Sequence, residues 1–542
     1  MTDTLTLTTD VLIIGGGPAA TWAAIAARDR GAEVVMVDKG YCGTSGTTAP
    51  AGTGVWYVAP DPAARAEAKA DREKLGGHLA DHDWMDRVLD QTYVNMNRLG
   101  DEGRYPFPRD DAGAQIRTGV QGPEYMRRMR AWVQRRGVVI LDHSPALELL
   151  VDAGGRVAGA AGHRRQTGQD YRITAGATVV ATGGCAFLSR ALGTNVDTGD
   201  GALMAAEVGA HFSGMEFANA YAIVPKGSTV TKTAYYGYAT FFHADGRVVQ
   251  GAGSMKGRSV IARTLLSEKV YAQLDRADEQ TAAQMRLGQP NFFLQFDRRG
   301  IDPFTQRFEV DLLAEGTVRG TGGINVVDDD CWTGVPGLYA AGDAATRERI
   351  CGGFTGGGSH NSAWAMSSGS FAGIGAAADA RAAGRPGHPE VHGAGRVGLG
   401  SGLRAAPPDE VVRAAQDELL PFDKNYLRHG TRLRAARESL DTLWADLSAS
   451  DFGAADPLGR IRARQAAAIT AVGRWIYHSS LARTESRGMS KREDYPDLDP
   501  AQHGHLLAAG LDEVTVRTGD LLPRSGADAR ATAGELIGGR VA

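Results

Sequence analysis

The chain has 542 residues, with 59 basic against 63 acidic side chains and a formal charge of −4. That balance leaves no basic footprint for nucleic acid, and no stretch is long and apolar enough to enter a bilayer. The length suffices for two or three domains, and the 72 glycines, gathered in turns, suit backbone that must approach a cofactor.

The threonine-rich segment before Val11 lacks the basic and apolar regions of a signal peptide. Cys42, Cys185, Cys331 and Cys351 show none of the close spacing of a zinc or iron–sulfur site. A cytoplasmic protein with free thiols and no bound metal is expected. Cys42 and Cys351 lie in glycine-rich loops, where they are either redox groups near a cofactor or small buried thiols.

The first element is an apolar strand through Val11, Leu12, Ile13 and Ile14, followed by Gly15-Gly16-Gly17-Pro18-Ala19-Ala20 and a helical stretch. A second strand, Val34-Val35-Met36-Val37, ends at Asp38 and Lys39. This is the pattern of a dinucleotide-binding βαβ unit. Gly15 permits the tight turn, Gly17 lets backbone meet a phosphate, and Ala20 is small enough for close helix–strand packing. The helix N-terminus supplies unpaired N–H groups for the phosphate, and Asp38 is placed to accept from a ribose diol.

The loop Cys42-Gly43-Thr44-Ser45-Gly46-Thr47-Thr48, continuing to Gly52, is rich in hydroxyls and suits a polar cofactor. Residues 61–100 read as helices, and 146–151 with 156–161 as a hairpin. A strand over 177–181 then opens into Ala181-Thr182-Gly183-Gly184, a second contact on the dinucleotide. Residues 221–320 are less regular and carry Tyr235, Tyr236, Tyr238, Phe241, Phe242 and His243 close together, as expected of a separate domain over the cofactor's reactive end. The strand pattern returns over 337–343, ending in Gly342-Asp343. From about residue 408 the chain is helical, and 509–542 reads as a peripheral tail.

These motifs, with Thr198-Gly199-Asp200-Gly201, Met215-Glu216-Phe217, Thr484-Glu485-Ser486-Arg487-Gly488 and Arg492-Glu493-Asp494-Tyr495-Pro496, resemble the succinate dehydrogenase and fumarate reductase flavoprotein superfamily. L-aspartate oxidase belongs to it, and Ser359-His360 with Ser367-Ser368-Gly369-Ser370-Phe371 is similar to the catalytic subunit of adenylylsulfate reductase. The resemblance implies an α/β fold. A Rossmann-like FAD-binding domain (1–220 with 321–400) would carry an inserted α+β capping domain (221–320) and a helical C-terminal domain (408–508). It also implies FAD. Gly15, Gly17 and Asp38 would hold the adenine half, with Pro18, Ala19, Ala20 and Lys39 as further cofactor contacts, and Thr44, Ser45, Gly46 and Gly52 would surround the cofactor. Ala181, Thr182, Gly183 and Asp343 would take the ribityl-pyrophosphate side, with Asp200 and Gly342 as further cofactor contacts. A helix beginning near Ser368, Gly369 and Ser370 would aim its N-terminus at the flavin, raising its tendency to accept hydride. The segment that carries a flavin-linking histidine in complex-type members has none here, so FAD is expected to be non-covalent.

Arg258, in Gly257-Arg258-Ser259-Val260-Ile261-Ala262-Arg263, resembles the arginine that moves a proton at the substrate carbon in this superfamily. On the residues alone it is equally an anion ligand or a structural cation. The usual dicarboxylate ligands are absent: Phe217-Ala218-Asn219 and Val318-Arg319-Gly320 replace histidine-bearing segments, and the arginine before the flavin helix is most nearly matched by Trp364. An aromatic pocket of Tyr221, Tyr235, Tyr236, Phe241, Phe242 and Trp364 is expected instead, with Arg319, His243, His360 and Arg349 as polar contacts. His243 and His360 are candidate bases.

The reading is an FAD-dependent dehydrogenase or oxidase taking hydride from a polar, aromatic or heterocyclic small molecule, with oxygen or an electron-carrier protein as acceptor. The alternatives are a flavin-dependent reductase of an activated double bond, sulfite chemistry at the flavin, or an FAD-binding subunit without turnover. A homo-oligomer is compatible with any of them.

Overall fold

The computed structural model describes residues 4–254, 257–355, 359–384, 390–402 and 406–519. The strand β1 (Leu5–Ile14), helix α1 (Pro18–Asp29) and strand β2 (Val34–Val37) follow from the alternation of an apolar run, a glycine turn and an alanine-rich helix with proline in its first turn. β1 lies between β2 and the strand Gln169–Val180, parallel to both. Val139–Leu141 extends the parallel set beyond β2, and Leu338–Ala340 pairs with the end of Gln169–Val180. Both faces are covered where these strands end, so Val11–Ile14, Val34–Val37 and Leu338–Ala340 are apolar without interruption. The hairpin Ala146–Asp152 and Val157–Arg164 adds antiparallel strands on the other side.

Helix Ser359–Ala383 crosses α1 at a seam of small residues. A Cβ on Gly369 would lie 2.4 Å from the Ala19 carbonyl oxygen, and one on Gly373 2.3 Å from that of Ala23. That close approach fixes the start of α1 against the sheet.

The cap is a four-stranded antiparallel sheet, ordered Ala220–Pro225, Phe308–Gly316, Val270–Gln273 and Thr240–Phe242. With helices Glu279–Gly288 and Pro290–Arg299 it encloses its own core, built largely from Tyr221, Tyr236, Phe241, Phe292, Phe296 and Phe308. Helices Pro408–Leu419, Gly430–Ala449 and Pro457–Ala482 form the C-terminal region.

The helical region and tail do not part at residue 508. That boundary falls inside the strand His505–Ala509, which pairs with Thr515–Gly519 and with Phe212–Ser213 of the first domain. Buried Ala508 explains the docking, since the strand covers an apolar edge. Residues 520–542 of the expected tail lie outside the described residues.

Two sequence motifs far apart meet in one buried ion network. Arg483 pairs with Glu216 at 2.7 Å and Glu485 at 2.8 Å, and Arg487 pairs with Glu485 at 2.6 Å. Charges this deep persist only when each is answered, so the network ties the last helix to the first domain. Among the described residues no helix is long and apolar enough to cross a membrane.

Candidate functional site

A groove of about 800 Å³ runs from the end of β2 to the cap. At its floor Gly15 has φ +130°, and a Cβ there would lie 2.1 Å from the Ala181 carbonyl oxygen, so no larger residue fits the crossing. A Cβ on Gly16 would lie 2.2 Å from Asp38 Oδ2. Gly17 differs: nothing lies within 4 Å of its Cβ position. That open space sits directly before α1, where unpaired N–H groups and the helix dipole favour a phosphate.

The Asp38 carboxyl is buried and accepts a 3.2 Å bond from the Gly40 N–H. Burial pushes it up to about 6, with Asp142 adding repulsion. Sugar hydroxyls donating to it would relieve that penalty. Opposite, Lys39 pairs with Asp200 and also donates to Thr198. Thr47 donates to Asp197, whose carboxyl burial raises to about 7. Burial also raises Asp343, outweighing its pairing with Arg347. This donor set fits a dinucleotide: open backbone for phosphate, carboxylates for hydroxyls, and hydroxyl side chains from the Ser45–Thr48 loop.

Gly15, Gly17, Pro18, Ala19, Asp38, Lys39, Ser45, Gly46, Gly52, Ala181, Thr182, Gly183, Asp200, Gly342 and Asp343 all line the groove. Ala20 lies buried beneath it, and Thr44 faces solvent. Ser368, Gly369 and Ser370 do not begin a helix. They lie inside Ser359–Ala383, because the Ser-Gly-Ser run that mimics a cap is the small-residue seam against α1. Ser368 Oγ accepts from the Gly342 N–H at 3.0 Å and so braces the groove from behind. The residues of that helix that face the groove are Asn361, Ser362 and Ala365, near its start.

The cap wall brings in Arg258, Arg319, Tyr235 and Tyr236, together with Lys232, Thr231 and Gln289. Glu315, 1% exposed, is the hub of the charged part. It accepts from Thr231 Oγ1 at 2.7 Å, with Arg319 at 3.4 Å and Lys232 at 3.6 Å. Burial alone would push its carboxyl up, but Arg319, Lys232 and Thr231 hold it below the usual carboxylate range. Burial in turn lowers Lys232, with Glu315 opposing. Arg258 opens helix Arg258–Leu265, its two terminal nitrogens donating at 2.7 Å to the carbonyls of Tyr221 and Ser254. Burial lowers its pKa as well. Arg258 Nε and the Tyr236 hydroxyl are buried donors without an acceptor among the described residues. Lys232 and Arg319 therefore share one carboxylate, and Arg258 adds a third cation to a wall that still has hydrogen bonds to give.

Most of the expected aromatic pocket is elsewhere. The Tyr221 hydroxyl donates to Leu420 O at 3.0 Å, Phe241 belongs to the cap core, and Phe242 lies under Arg307. Trp364 is fully buried, its indole N–H donating to Gly342 O at 3.0 Å. A cap with its own sheet needs its own core, and these rings supply it. His243 pairs with Glu268 at 2.8 Å away from the groove. His360 packs on Trp56 at 4.7 Å, where burial lowers it to about 3, so it is neutral and a poor base. Arg349 donates to Val326 O and lies over Trp84. All four cysteines are buried, and burial pushes Cys42 and Cys351 up to about 12, which leaves them inert as thiolates.

A nucleotide groove of this form on a mostly parallel sheet, closed by an inserted cap, defines an FAD-binding flavoprotein. The FAD binding domain family matches residues 10–229, and the fumarate reductase flavoprotein C-terminal family matches residues 423–519. The chain belongs to the succinate dehydrogenase and fumarate reductase flavoprotein superfamily.

The chain is 26% identical to L-aspartate oxidase of Streptomyces coelicolor over 62% of its own length and 63% of that protein's, so the match spans under two thirds of this relative. It is 24% identical to a subunit of the fumarate reductase (CoM/CoB) of Methanothermobacter marburgensis over 92% of its length and 96% of that protein's. Among solved structures, a variant of E. coli quinol fumarate reductase FrdA shares the fold, with TM-score 0.80 and 22% identity over 96% of this chain and 99% of that one. Adenylylsulfate reductase of Archaeoglobus fulgidus shares it too, with TM-score 0.72 and 18% identity over 97% and 98% of the two chains. The cofactor of the groove is FAD, and the loop where a covalent link would form offers hydroxyls and no histidine.

Proposed function

We propose that the chain is an FAD-dependent oxidoreductase that reduces an activated double bond in a small anionic substrate. The observation that carries this reading is the cap wall: Arg319 and Lys232 gathered on the carboxylate of Glu315, with Arg258 held beside them by two backbone carbonyls, all three cations facing the cofactor groove. An aromatic substrate finds only Tyr235 and Tyr236 there, and the Tyr235 hydroxyl is already spent on Met285 O at 2.8 Å. A carboxylate finds cations and desolvated donors.

Bound FAD supplies hydride chemistry at its N5 atom. The chain's residues do the rest. Lys232 and Arg319 fix the substrate carboxylate, while Glu315 holds both cations in place. The Tyr236 hydroxyl, kept protonated by burial, donates to a second oxygen. Arg258 is immobilised by two backbone carbonyls, and burial eases loss of its proton, so it is the group that protonates the second carbon of the reduced bond. The cap keeps water from that proton. The likeness to fumarate reductases and to L-aspartate oxidase supports a carboxylate substrate, and L-aspartate oxidase favours the reverse reaction as a second reading.

Anaerobic titration decides between them. Chemically reduced holoprotein should be reoxidised by fumarate or a related enoate, with the yellow absorbance returning. Bleaching of oxidised holoprotein by L-aspartate or a saturated acid, with no response to enoates, would replace the reductase reading by a dehydrogenase or oxidase. Silence toward both panels would leave an FAD-binding subunit without turnover.

A further inference from the structure

A second cavity, of about 510 Å³, lies outside the cofactor groove, walled by residues 188–190, helix Pro408–Leu419 and helix Pro457–Ala482. Three arginines line it from three separate segments: Arg190 from the loop, Arg413 from the first helix and Arg462 from the second. All three are exposed, and none forms an ion pair or hydrogen bond with a side chain among the described residues. Among the described residues the one acid on the wall is Asp409. Three guanidiniums brought to one concavity repel one another, and a protein that does not use that charge gains nothing by assembling it.

The loop that presents Arg190 is held rigidly. Phe187, Leu188 and Arg190 have φ of 57°, 53° and 72°, left-handed values that cost a non-glycine residue about 1–2 kcal/mol each. The surroundings enforce them: the Gln416 amide donates to Phe187 O at 2.7 Å and Leu188 O at 3.3 Å, and Ser189 Oγ donates to Ala314 O at 2.6 Å. Strain of this kind persists only where neighbours over-determine it. Here it fixes one edge of the cavity relative to helix Pro408–Leu419 and the cap strand Phe308–Gly316.

We propose that this cavity is a binding site for a small, multiply charged anion of the phosphate class. Guanidinium forks match phosphate oxygens two at a time, so converging arginines suit a tetrahedral polyanion better than a single carboxylate. Free pyrophosphate and the phosphates of a nucleotide present the same chemistry to it. The site depends neither on the cofactor groove nor on the reaction proposed above.

The test is calorimetric titration of FAD-loaded holoprotein with pyrophosphate at low ionic strength, repeated with ATP and with AMP. One saturable site is expected, weakening as salt rises, with the triphosphate at least matching pyrophosphate if a nucleotide is the source. R413E/R462E should bind at least about tenfold more weakly, and R190Q should weaken binding while leaving both helices untouched. Flavin content reports that each variant is folded. R30E/R104E changes the net charge equally at exposed positions that do not line the cavity and should bind like the parent. No saturable binding by the holoprotein overturns the proposal. So does equal binding by R413E/R462E and R190Q, or an equal loss in the remote control.

Discussion

Neutralising Glu315 by Glu315→Gln removes one charge and almost no volume. Arg319 at 3.4 Å and Lys232 at 3.6 Å would each interact with the carboxylate by about 5 kcal/mol at an effective dielectric of 20. Desolvation of a residue 1% exposed cancels much of that gain. Removing one partner of a buried pair costs about 3–5 kcal/mol; with Lys232 and Arg319 at 15% and 26% side-chain exposure, water recovers part of it, leaving about 3 kcal/mol. Urea denaturation of the holoprotein at neutral pH should show this loss as a lower midpoint with an unchanged slope. Saturating fumarate or another small dicarboxylate should restore more stability to E315Q than to the parent, because the ligand replaces the missing negative charge. A midpoint within about 0.5 kcal/mol of the parent, with no greater rescue by anions, would refute the idea that Glu315 organises the cationic wall.

Arg258→Gln should keep FAD bound yet lower turnover by about 10²–10⁴-fold, the range of a lost proton-transfer group; rapid-mixing kinetics beside a flavin spectrum check both halves. Gly369→Ala puts a methyl 2.4 Å from Ala19 O, forcing Ser359–Ala383 off α1 at a cost of about 1–3 kcal/mol. Weakened FAD binding measured by flavin fluorescence should accompany the loss of stability. In the apoprotein, Asp38 and Asp197 titrate at about 6 and about 7 against an unfolded value of 3.8. The folded state thus binds more protons than the unfolded chain between about pH 4 and 7, so stability falls as pH rises through that window, by about 3 kcal/mol for Asp38 alone. Melting curves across that range should show the fall, flattened once FAD is bound and its ribose hydroxyls favour the charged carboxyl.

The first βαβ unit was readable because every local signal agreed: the end of β1, Val11–Ile14, and all of β2 are uninterrupted apolar runs, and only glycine fits the crossing under Ala181. The 146–161 hairpin and the helical C-terminal region were equally plain in their patterning. The substrate wall was not, since Lys232 and Glu315 lie far apart in the chain and meet only through the pairing of the cap strands. Glu315 gave little local signal, because the strand Phe308–Gly316 also carries Glu309 and Asp311 and only the fold buries the third acid. Aromatic residues misled for the opposite reason: clustering along the chain suggested a pocket, but an inserted sheet must first fill its own core. The helix start was misplaced because Ser-Gly-Ser satisfies both a cap and a small-residue crossing. The strand His505–Ala509 was hidden because its alanines and leucines carry no β signature until they meet Phe212 and Ser213.

Reoxidation of photoreduced holoprotein by fumarate and by its dimethyl ester, in one anaerobic single-turnover experiment, tests the combination of FAD groove and cationic cap most directly. The two compounds share the electron-poor double bond and differ in charge. Rapid, saturable reoxidation by the dianion that slows with added salt is expected, and little by the ester. Equal rates for both, or reoxidation by the ester alone, would contradict a site built around Lys232, Arg319 and Arg258.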